Sequence, residues 1–111
     1  MYEIIIGLYG TAKDVTRIGT AAADLLEARA LGASLSIVDG GGRHDDLAEQ
    51  WRITHPGTDP GTRAAFELRV GLESGPVDVA ALTEAITRVV CPDPEHSTPC
   101  RVPWDSYWRE N

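Results

Sequence analysis

Apolar residues follow a period of two at the start of the chain. Within residues 1–10, one side of an extended strand would carry Tyr2, Ile4, Ile6 and Leu8. Successive side chains of a strand alternate between its two faces, so this spacing predicts a strand. Ile5 and Tyr9 make the other side partly apolar as well, which favours a central strand over an edge strand.

The period then changes to that of a helix. Over residues 11–31, an apolar stripe is formed by Val15, Ile18, Ala22, Leu25 and Leu26. Thr11 can cap this helix, because Asp14 occupies the capping-box position three residues later. Gly32 stands where a left-handed residue commonly ends a helix. The first third of the chain is therefore predicted to be a strand followed by a helix.

Two further stretches alternate and are predicted to be strands. In residues 33–38, serines separate the apolar positions, and three glycines at 40–42 end the pattern. In residues 64–72, one side carries Phe66, Leu68, Val70 and Leu72. A second amphipathic helix is predicted from Pro76, which suits a first helical turn. Its buried stripe consists of Val79, Leu82, Ile86, Val89 and Val90.

The middle of the chain, residues 43–63, permits two interpretations. Asp45 could begin a short helix, whereas the alternation over residues 49–54, with Trp51 and Ile53 on one side, is typical of a strand. We favour the short strand. The residues that follow it, 55–61, are rich in proline and glycine and should form a surface loop.

The order of these elements, β-α-β-(β)-β-α-β, predicts an α+β fold. Two helices on one face of a mainly antiparallel sheet bury both amphipathic stripes economically. The ferredoxin-like arrangement matches this order and places the first and third major strands in the centre. We expect a single domain over residues 1–100. An aromatic C-terminal tail, residues 101–111, should pack on it, with any strand at an edge because Pro103 lacks an N–H group.

Composition narrows the classes of partner. The 111 residues carry a formal net charge of -7, which argues against binding to nucleic acid or to anionic membranes, since both need clustered Lys and Arg. No apolar run is long enough to span a membrane, and the N-terminus lacks the features of a signal peptide. These observations predict a cytoplasmic protein with reduced cysteines. Nine arginines against one lysine suggest the coding bias of a GC-rich bacterial genome.

Candidate chemistry is sparse. Cys91, His96 and Cys100 could supply three zinc ligands, or the two cysteines could form a disulfide. The spacing is not that of a standard zinc site and a disulfide is disfavoured in the cytosol, so we predict two unpaired thiols and no metal or cofactor. His44 lies beside Asp45 and Asp46 in what we expect to be a solvated loop, because sequence neighbours do not form a catalytic triad.

The turn between the first strand and the first helix is a further candidate. Residues 7–11 lead into a helix N-terminus, where backbone N–H groups can hold an anion. They lack the full glycine fingerprint of a phosphate loop. We therefore predict a structural turn there.

The sheet face that the helices leave open, together with the aromatic tail, supplies the candidate binding residues. They are Ile5, Tyr9, Val38, Glu67, Arg69, Trp104, Tyr107 and Trp108. The face mixes apolar, small and charged groups, which suits protein contact better than a small-molecule pocket. Glu67 and Arg69 could pair reciprocally across a twofold axis.

No residue pattern marks a catalytic centre, which favours a protein without enzymatic activity. We predict a small acidic protein-binding module, such as an immunity or antitoxin-like inhibitor or an accessory regulatory subunit. Its partner would be a protein, with a basic surface suiting the acidic charge, or a second copy in a homodimer. The alternative is a small enzyme or small-ligand-binding protein that uses the open sheet face and the loop over residues 39–46. Neither a partner nor a substrate is identified by these patterns.

Overall fold

The structure is a computed structural model that describes residues 2–29, 33–73, 76–91 and 102–110. These residues form a small α+β unit with three helices and a four-stranded antiparallel sheet. In chain order the elements are β1 (Tyr2–Gly10), α1 (Ala12–Arg29), β2 (Ser34–Asp39), α2 (Asp45–Thr54), β3 (Ala64–Leu72), α3 (Pro76–Val90) and β4 (Trp104–Glu110). The α+β class predicted from the sequence is confirmed.

The strands lie in the order β2-β3-β1-β4, and each strand is antiparallel to its neighbours. β1 and β3 are therefore central, the positions expected from the order of the elements. The register sets Ile5 of β1 opposite Arg69 of β3 on one side and opposite Tyr107 of β4 on the other. Side chains from three different strands are thus brought together on one face of the sheet.

The main core lies between the other face of the sheet and helices α1 and α3. Its fully buried members include Ile4, Ile6, Leu8, Ile18, Ala22, Leu68, Val70, Leu82 and Ile86. Three residues that the sequence pattern assigns to the core are less buried than expected, and one of them is Val89 of α3, which packs against its margin. Leu25 packs against the core at its margin, and Phe66 is only half-buried near the start of β3, where it lies opposite Leu8 and Asp39.

The start of α1 is fixed by reciprocal capping. The Asp14 N–H donates to Thr11 Oγ1 at 3.1 Å, and the Thr11 N–H donates to Asp14 Oδ2, also at 3.1 Å. This is the capping box that the sequence predicts, and it satisfies two N–H groups that the helix itself leaves unpaired. The predicted end of the helix at Gly32 lies outside the described residues.

The predicted strand over residues 49–54 is wrong, because these residues belong to α2. Leu47 and Trp51 are four residues apart, so a helix places both on one side, where each is buried. Trp51 packs against Tyr9 of β1, while Ile53 remains exposed. α2 lies on the sheet face opposite α1 and α3, so the described helices occupy both faces and not one.

The C-terminal segment forms β4 at the edge of the sheet. β4 pairs with β1 in a continuous register from Tyr2↔Glu110 to Leu8↔Trp104. Just before β4, Val102 and Pro103 are buried, and the Tyr9 N–H donates to the Pro103 C=O at 3.0 Å. Because Pro103 has no N–H of its own to donate in return, it is accommodated where the chain enters an edge strand.

Cys91, which directly follows α3, is buried and disulfide-bonded. The prediction of unpaired thiols is therefore wrong. The chain contains one other cysteine, Cys100, which lies outside the described residues together with His96. Unpaired thiols were expected from the redox compartment alone, and the positions of the two cysteines did not enter that prediction. None of the helices in the described ranges is long and apolar enough to cross a membrane.

Candidate functional site

The sheet register separates the predicted binding residues into two groups. Trp104 and Trp108 lie opposite Leu8 and Ile4 and so belong to the face packed by α1 and α3. The others share the opposite face, which we call the α2 face. It carries Ile5, Gly7, Tyr9, Val38, Glu67, Arg69, Asp105 and Tyr107. The eight predicted residues therefore do not form one surface.

Several predicted residues on the α2 face are buried. Ile5 is about as inaccessible as the residues of the main core, and Tyr9 lies beneath α2 against Leu47 and Trp51. Val38, opposite Glu67 in the register, is half-buried. Tyr107 remains exposed. Of these residues, only Tyr107 offers a large accessible surface to a partner.

Glu67 is a buried carboxylate held by two arginines. Its Oε2 accepts hydrogen bonds from Arg69 Nη2 at 2.9 Å and Arg69 Nε at 3.2 Å, and from Arg43 Nη2 at 2.8 Å. Burial by itself raises the pKa of the Glu67 carboxyl. The hydrogen bonds and positive charges of Arg69 and Arg43 outweigh burial and hold that pKa below its ordinary value. Glu67 and Arg69 thus pair within one chain.

His44 lies in the same cluster. Its ring is buried between two carboxylates, with Nε2 3.6 Å from Glu67 Oε1 and Nδ1 3.4 Å from Asp105 Oδ1. Neither ring nitrogen has a hydrogen bond of acceptable geometry to any residue that the structure describes. The prediction that His44 lies in a solvated loop is therefore wrong, because α2 begins directly after it and carries the ring onto the sheet.

Hydrogen bonds within the loop before α2 hold Arg43 and His44 in position over the sheet. Asp39 Oδ1 accepts a hydrogen bond from the Gly41 N–H at 2.7 Å, and the Gly40 N–H donates to the Ala65 C=O at 3.0 Å. Gly41 has a φ of 58°, in the left-handed region that favours glycine. The glycines at 40–42 thus serve a defined turn, and Arg43 Nη2 donates back to the Asp39 C=O at 3.1 Å.

Gly7 has no side chain, and this leaves room for the His44 ring above β1. A Cβ atom at Gly7 would collide with the His44 ring and with the Asp105 carboxylate. The Gly7 N–H also donates to Asp105 Oδ1 at 3.2 Å. A glycine inside an otherwise apolar central strand often marks the close approach of another group. That signal was present in the sequence and could have indicated the cluster.

The chemistry available to the cluster is that of an imidazole between two carboxylates. Such a ring can accept or donate a proton, and the arginines keep Glu67 ionised beside it. Both nitrogens are shielded from solvent, however, so a ligand would first meet the exposed parts of Arg43, Asp105 and Arg69. Within the described ranges, no group of three or more His, Cys, Asp or Glu side chains is placed to hold a metal ion.

A second candidate site is the edge of the sheet formed by β4, which pairs with β1 alone among the described strands. The Tyr9–Pro103 hydrogen bond fixes the pattern of the β1–β4 ladder, because hydrogen-bonded and non-hydrogen-bonded pairs alternate in antiparallel strands. Odd-numbered residues of β4 therefore direct their backbone groups toward β1, and even-numbered residues direct theirs outward. We call the outward backbone groups of residues 104, 106, 108 and 110 the β4 edge.

Exposed aromatic side chains flank the β4 edge on both faces. Tyr107 on the α2 face is 48% exposed, and Trp108 on the opposite face is 41% exposed. Trp108 also contacts the ring of Tyr2 edge-on, with 5.7 Å between ring centroids. Arg109 pairs with Glu3 at 2.7 Å. The edge therefore combines outward-directed backbone groups, two large aromatics and charged side chains.

Comparison with known proteins adds no family to these observations. No protein-family model matches the chain, and no curated protein matches it significantly. The two candidate sites must therefore be judged on their own geometry.

We expect Gly7→Ala to destabilise the protein by about 1–3 kcal/mol, the usual cost of forcing atoms into a packed site. The added methyl group must displace either the His44 ring or the Asp105 carboxylate. Chemical denaturation monitored by tryptophan fluorescence measures the change. Gly71→Ala on β3 is the matched control, because its Cβ would meet only the Ser34 hydroxyl, at the end of a side chain that can rotate. Equal costs for the two variants would contradict the packing assigned to Gly7.

The lowered pKa of Glu67 predicts a pH dependence of stability. The folded chain binds this proton less readily than the unfolded chain, so the contribution of Glu67 is fully present above the ordinary glutamate pKa of about 4.3. That contribution is lost as the pH falls through the lower folded pKa. Glu67→Gln should therefore be clearly less stable than the parent at pH 7, and the difference should shrink in acid.

Denaturant unfolding of both proteins between neutral and acidic pH tests this expectation. Glu49→Gln is the control, since it alters an exposed pair with Arg52 that should matter little at pH 7. A difference between the parent and Glu67→Gln that stays constant, or that grows toward low pH, would show that the arginines do not hold Glu67 ionised.

Proposed function

We propose that the chain is a small protein-binding module that docks an extended segment of its partner along the β4 edge. The supporting observation is that β4 is an edge strand in regular register, with exposed Tyr107 and Trp108 on its two sides. An extended chain can add to such an edge through main-chain hydrogen bonds. Large aromatics beside those bonds are the residue types that dominate the energetics of interfaces.

The α2 face is a weaker docking surface than the sequence pattern suggests. Ile5, Tyr9 and Glu67 are buried, and Arg69 is engaged with Glu67. A partner lying on this face would meet mainly Tyr107 and the partly exposed arginines. The proposal therefore moves the docking site from the face to the adjoining edge and keeps Tyr107 and Trp108 as its anchors.

The other edge of the sheet is less suited to docking. β2 is shorter than β4, and its exposed large apolar residue is Ile37. Ile37 also approaches Gly19 of α1 so closely that a Cβ there would collide with it. The Ile37 side chain is thus packed partly against α1, whereas Tyr107 and Trp108 are both exposed beside the β4 edge.

An inhibitor of the immunity or antitoxin type, or an accessory regulatory subunit, is consistent with this mode of binding. The net charge of -7 favours a partner with a basic surface. We also propose the ferredoxin-like arrangement for the scaffold, with α2 inserted between β2 and β3. The strand order β2-β3-β1-β4 and the antiparallel pairing support that assignment.

The Cys91 disulfide bears on where such a module works. Disulfides are rare in cytosolic proteins, where cellular reductants keep thiols reduced. The cytoplasmic location expected from the sequence therefore gains no support from this bond. An oxidising compartment is more compatible with it.

A second candidate function uses the His44 cluster as a site for a small polar ligand. It is favoured by one observation: the buried His44 ring lies between two carboxylates without a hydrogen bond of acceptable geometry in the described residues. A small oxyanion could bind the partly exposed Arg43 and Arg69 while His44 and Asp105 exchange a proton with it. This candidate corresponds to the alternative of a small enzyme or ligand-binding protein.

Ser106→Pro tests docking at the β4 edge. The substitution removes an outward N–H group but no hydrogen bond to β1, so the fold should tolerate it at an edge strand. We expect partner proteins that co-purify from the native cells to be lost from Ser106→Pro and retained by Ser106→Ala, which keeps the N–H.

Two results would contradict docking at the β4 edge. One is a partner that both variants retain equally. The other is a stoichiometric small molecule, and no protein, in the isolated material, which would favour the His44 cluster. Thermal melting of both variants establishes that each is folded before the comparison is made.

A further inference from the structure

We propose that the β4 edge binds a second copy of the same chain, with the two β4 strands antiparallel about a twofold axis at Tyr107. This inference rests on the proposed docking at the β4 edge and specifies its occupant. The two four-stranded sheets would join into one continuous sheet.

The backbone pattern restricts the registers that are allowed. Outward groups belong to the even-numbered residues of β4, so even-numbered residues of one copy must lie opposite even-numbered residues of the other. A twofold axis at Tyr107 meets this condition. It sets Ser106 opposite the partner's Trp108 and Trp104 opposite the partner's Glu110. Because Tyr107 is the midpoint of Trp104–Glu110, this register uses the whole strand.

The charges on the α2 face select the same register. With the axis at Tyr107, Asp105 lies opposite the partner's Arg109, and symmetry repeats the pair on the other side. Opposite charges directly across an antiparallel ladder are favourable. If the axis lies at Ser106, Asp105 is opposite the partner's Tyr107. If it lies at Trp108, Arg109 is opposite the partner's Tyr107. Both neighbouring allowed registers therefore lose the charge pairing.

The existing contacts of these two residues are compatible with the pairing. Arg109 donates to Glu3 through Nε and Nη2, and its side chain is still 55% exposed. A guanidinium has further N–H donors. Among the described residues, Asp105 contacts Gly7 and His44 through Oδ1, and its Oδ2 can accept from the partner's Arg109. Neither residue needs to break its contacts within its own chain to reach the second copy.

The aromatic side chains also fit this register. Tyr107 meets the partner's Tyr107 at a non-hydrogen-bonded position, where cross-strand side chains approach most closely. On the other face, Trp108 lies beside the partner's Ser106, whose small side chain leaves room for an indole ring. The pairing would thus cover both of the large aromatics that the single chain exposes on β4.

Charge reversal with mixing tests the proposal. We expect the parent to sediment as a dimer, whereas Asp105→Arg and Arg109→Asp should each be monomeric because like charges then face each other. An equimolar mixture of the two variants should form a heterodimer. Its Asp105→Arg copy carries two positive charges at these positions, and its Arg109→Asp copy carries two negative ones. Native mass spectrometry with one variant labelled with ¹⁵N identifies the heterodimer by mass.

A second pair of variants avoids the contacts of Asp105 with the His44 cluster. Tyr107→Glu places two like charges at the twofold axis and should give a monomer, while Tyr107→Phe should remain a dimer. Thermal melting checks that each variant is folded. If Asp105→Arg does not fold, the Tyr107 pair decides the question: a Tyr107→Glu variant that remains a dimer would overturn the proposed axis.

Failure of this inference can be distinguished from failure of the proposed function. A parent chain that stays monomeric at high concentration overturns self-pairing, while docking of a different protein is judged separately by the comparison of Ser106→Pro with Ser106→Ala. A parent dimer that persists in both charge-reversal variants, with no preference for the heterodimer on mixing, overturns the Tyr107-centred register.

Discussion

The rest of the structure depends on burying β1 on both of its faces. Ile4, Ile6 and Leu8 point to one side, Ile5 and Tyr9 to the other, and all are buried. A central strand of this kind needs a cover on each side, because apolar side chains left in water forfeit the main driving force of folding. Helices α1 and α3 cover the first side. The second is covered by α2 at one end and by the His44–Glu67 cluster farther along the strand.

The groups that cover the second side of β1 determine which surfaces of the sheet stay accessible to a partner. His44 can approach β1 only because Gly7 has no Cβ, and Glu67 can be buried because Arg69 and Arg43 pair with it. The polar groups of the α2 face thus serve largely as internal structure. Among the described strands β4 is an edge strand, and the side chains of Tyr107 and Trp108 are exposed there. We therefore propose that a partner is recognised at the β4 edge, with the His44 cluster as the alternative site.

Most of the fold could be predicted from the periodicity of apolar residues along the chain. The alternation in β1 and β3, the apolar stripes of α1 and α3 and the Thr11–Asp14 cap are local patterns, and the structure contains each of them. α2 was missed because its six final residues also alternate. The helix is favoured by the burial of Leu47 and Trp51 against Tyr9, which is distant in sequence. The His44 cluster joins residues distant in sequence, so sequence neighbours could not reveal it. Gly7, a glycine within an apolar strand, was the one feature of the local sequence that indicated the cluster.

The most direct test of the account is hydrogen exchange at the two edges of the sheet, followed residue by residue by NMR at low and high protein concentration. The account predicts that the amides of Ser106 and Trp108 exchange rapidly in dilute protein and become protected as the dimer forms. Amides at the outer side of β2, such as that of Ile37, should exchange equally at both concentrations. Protection that appears at β2, or at neither edge, while the protein associates would contradict the assignment of recognition to the β4 edge.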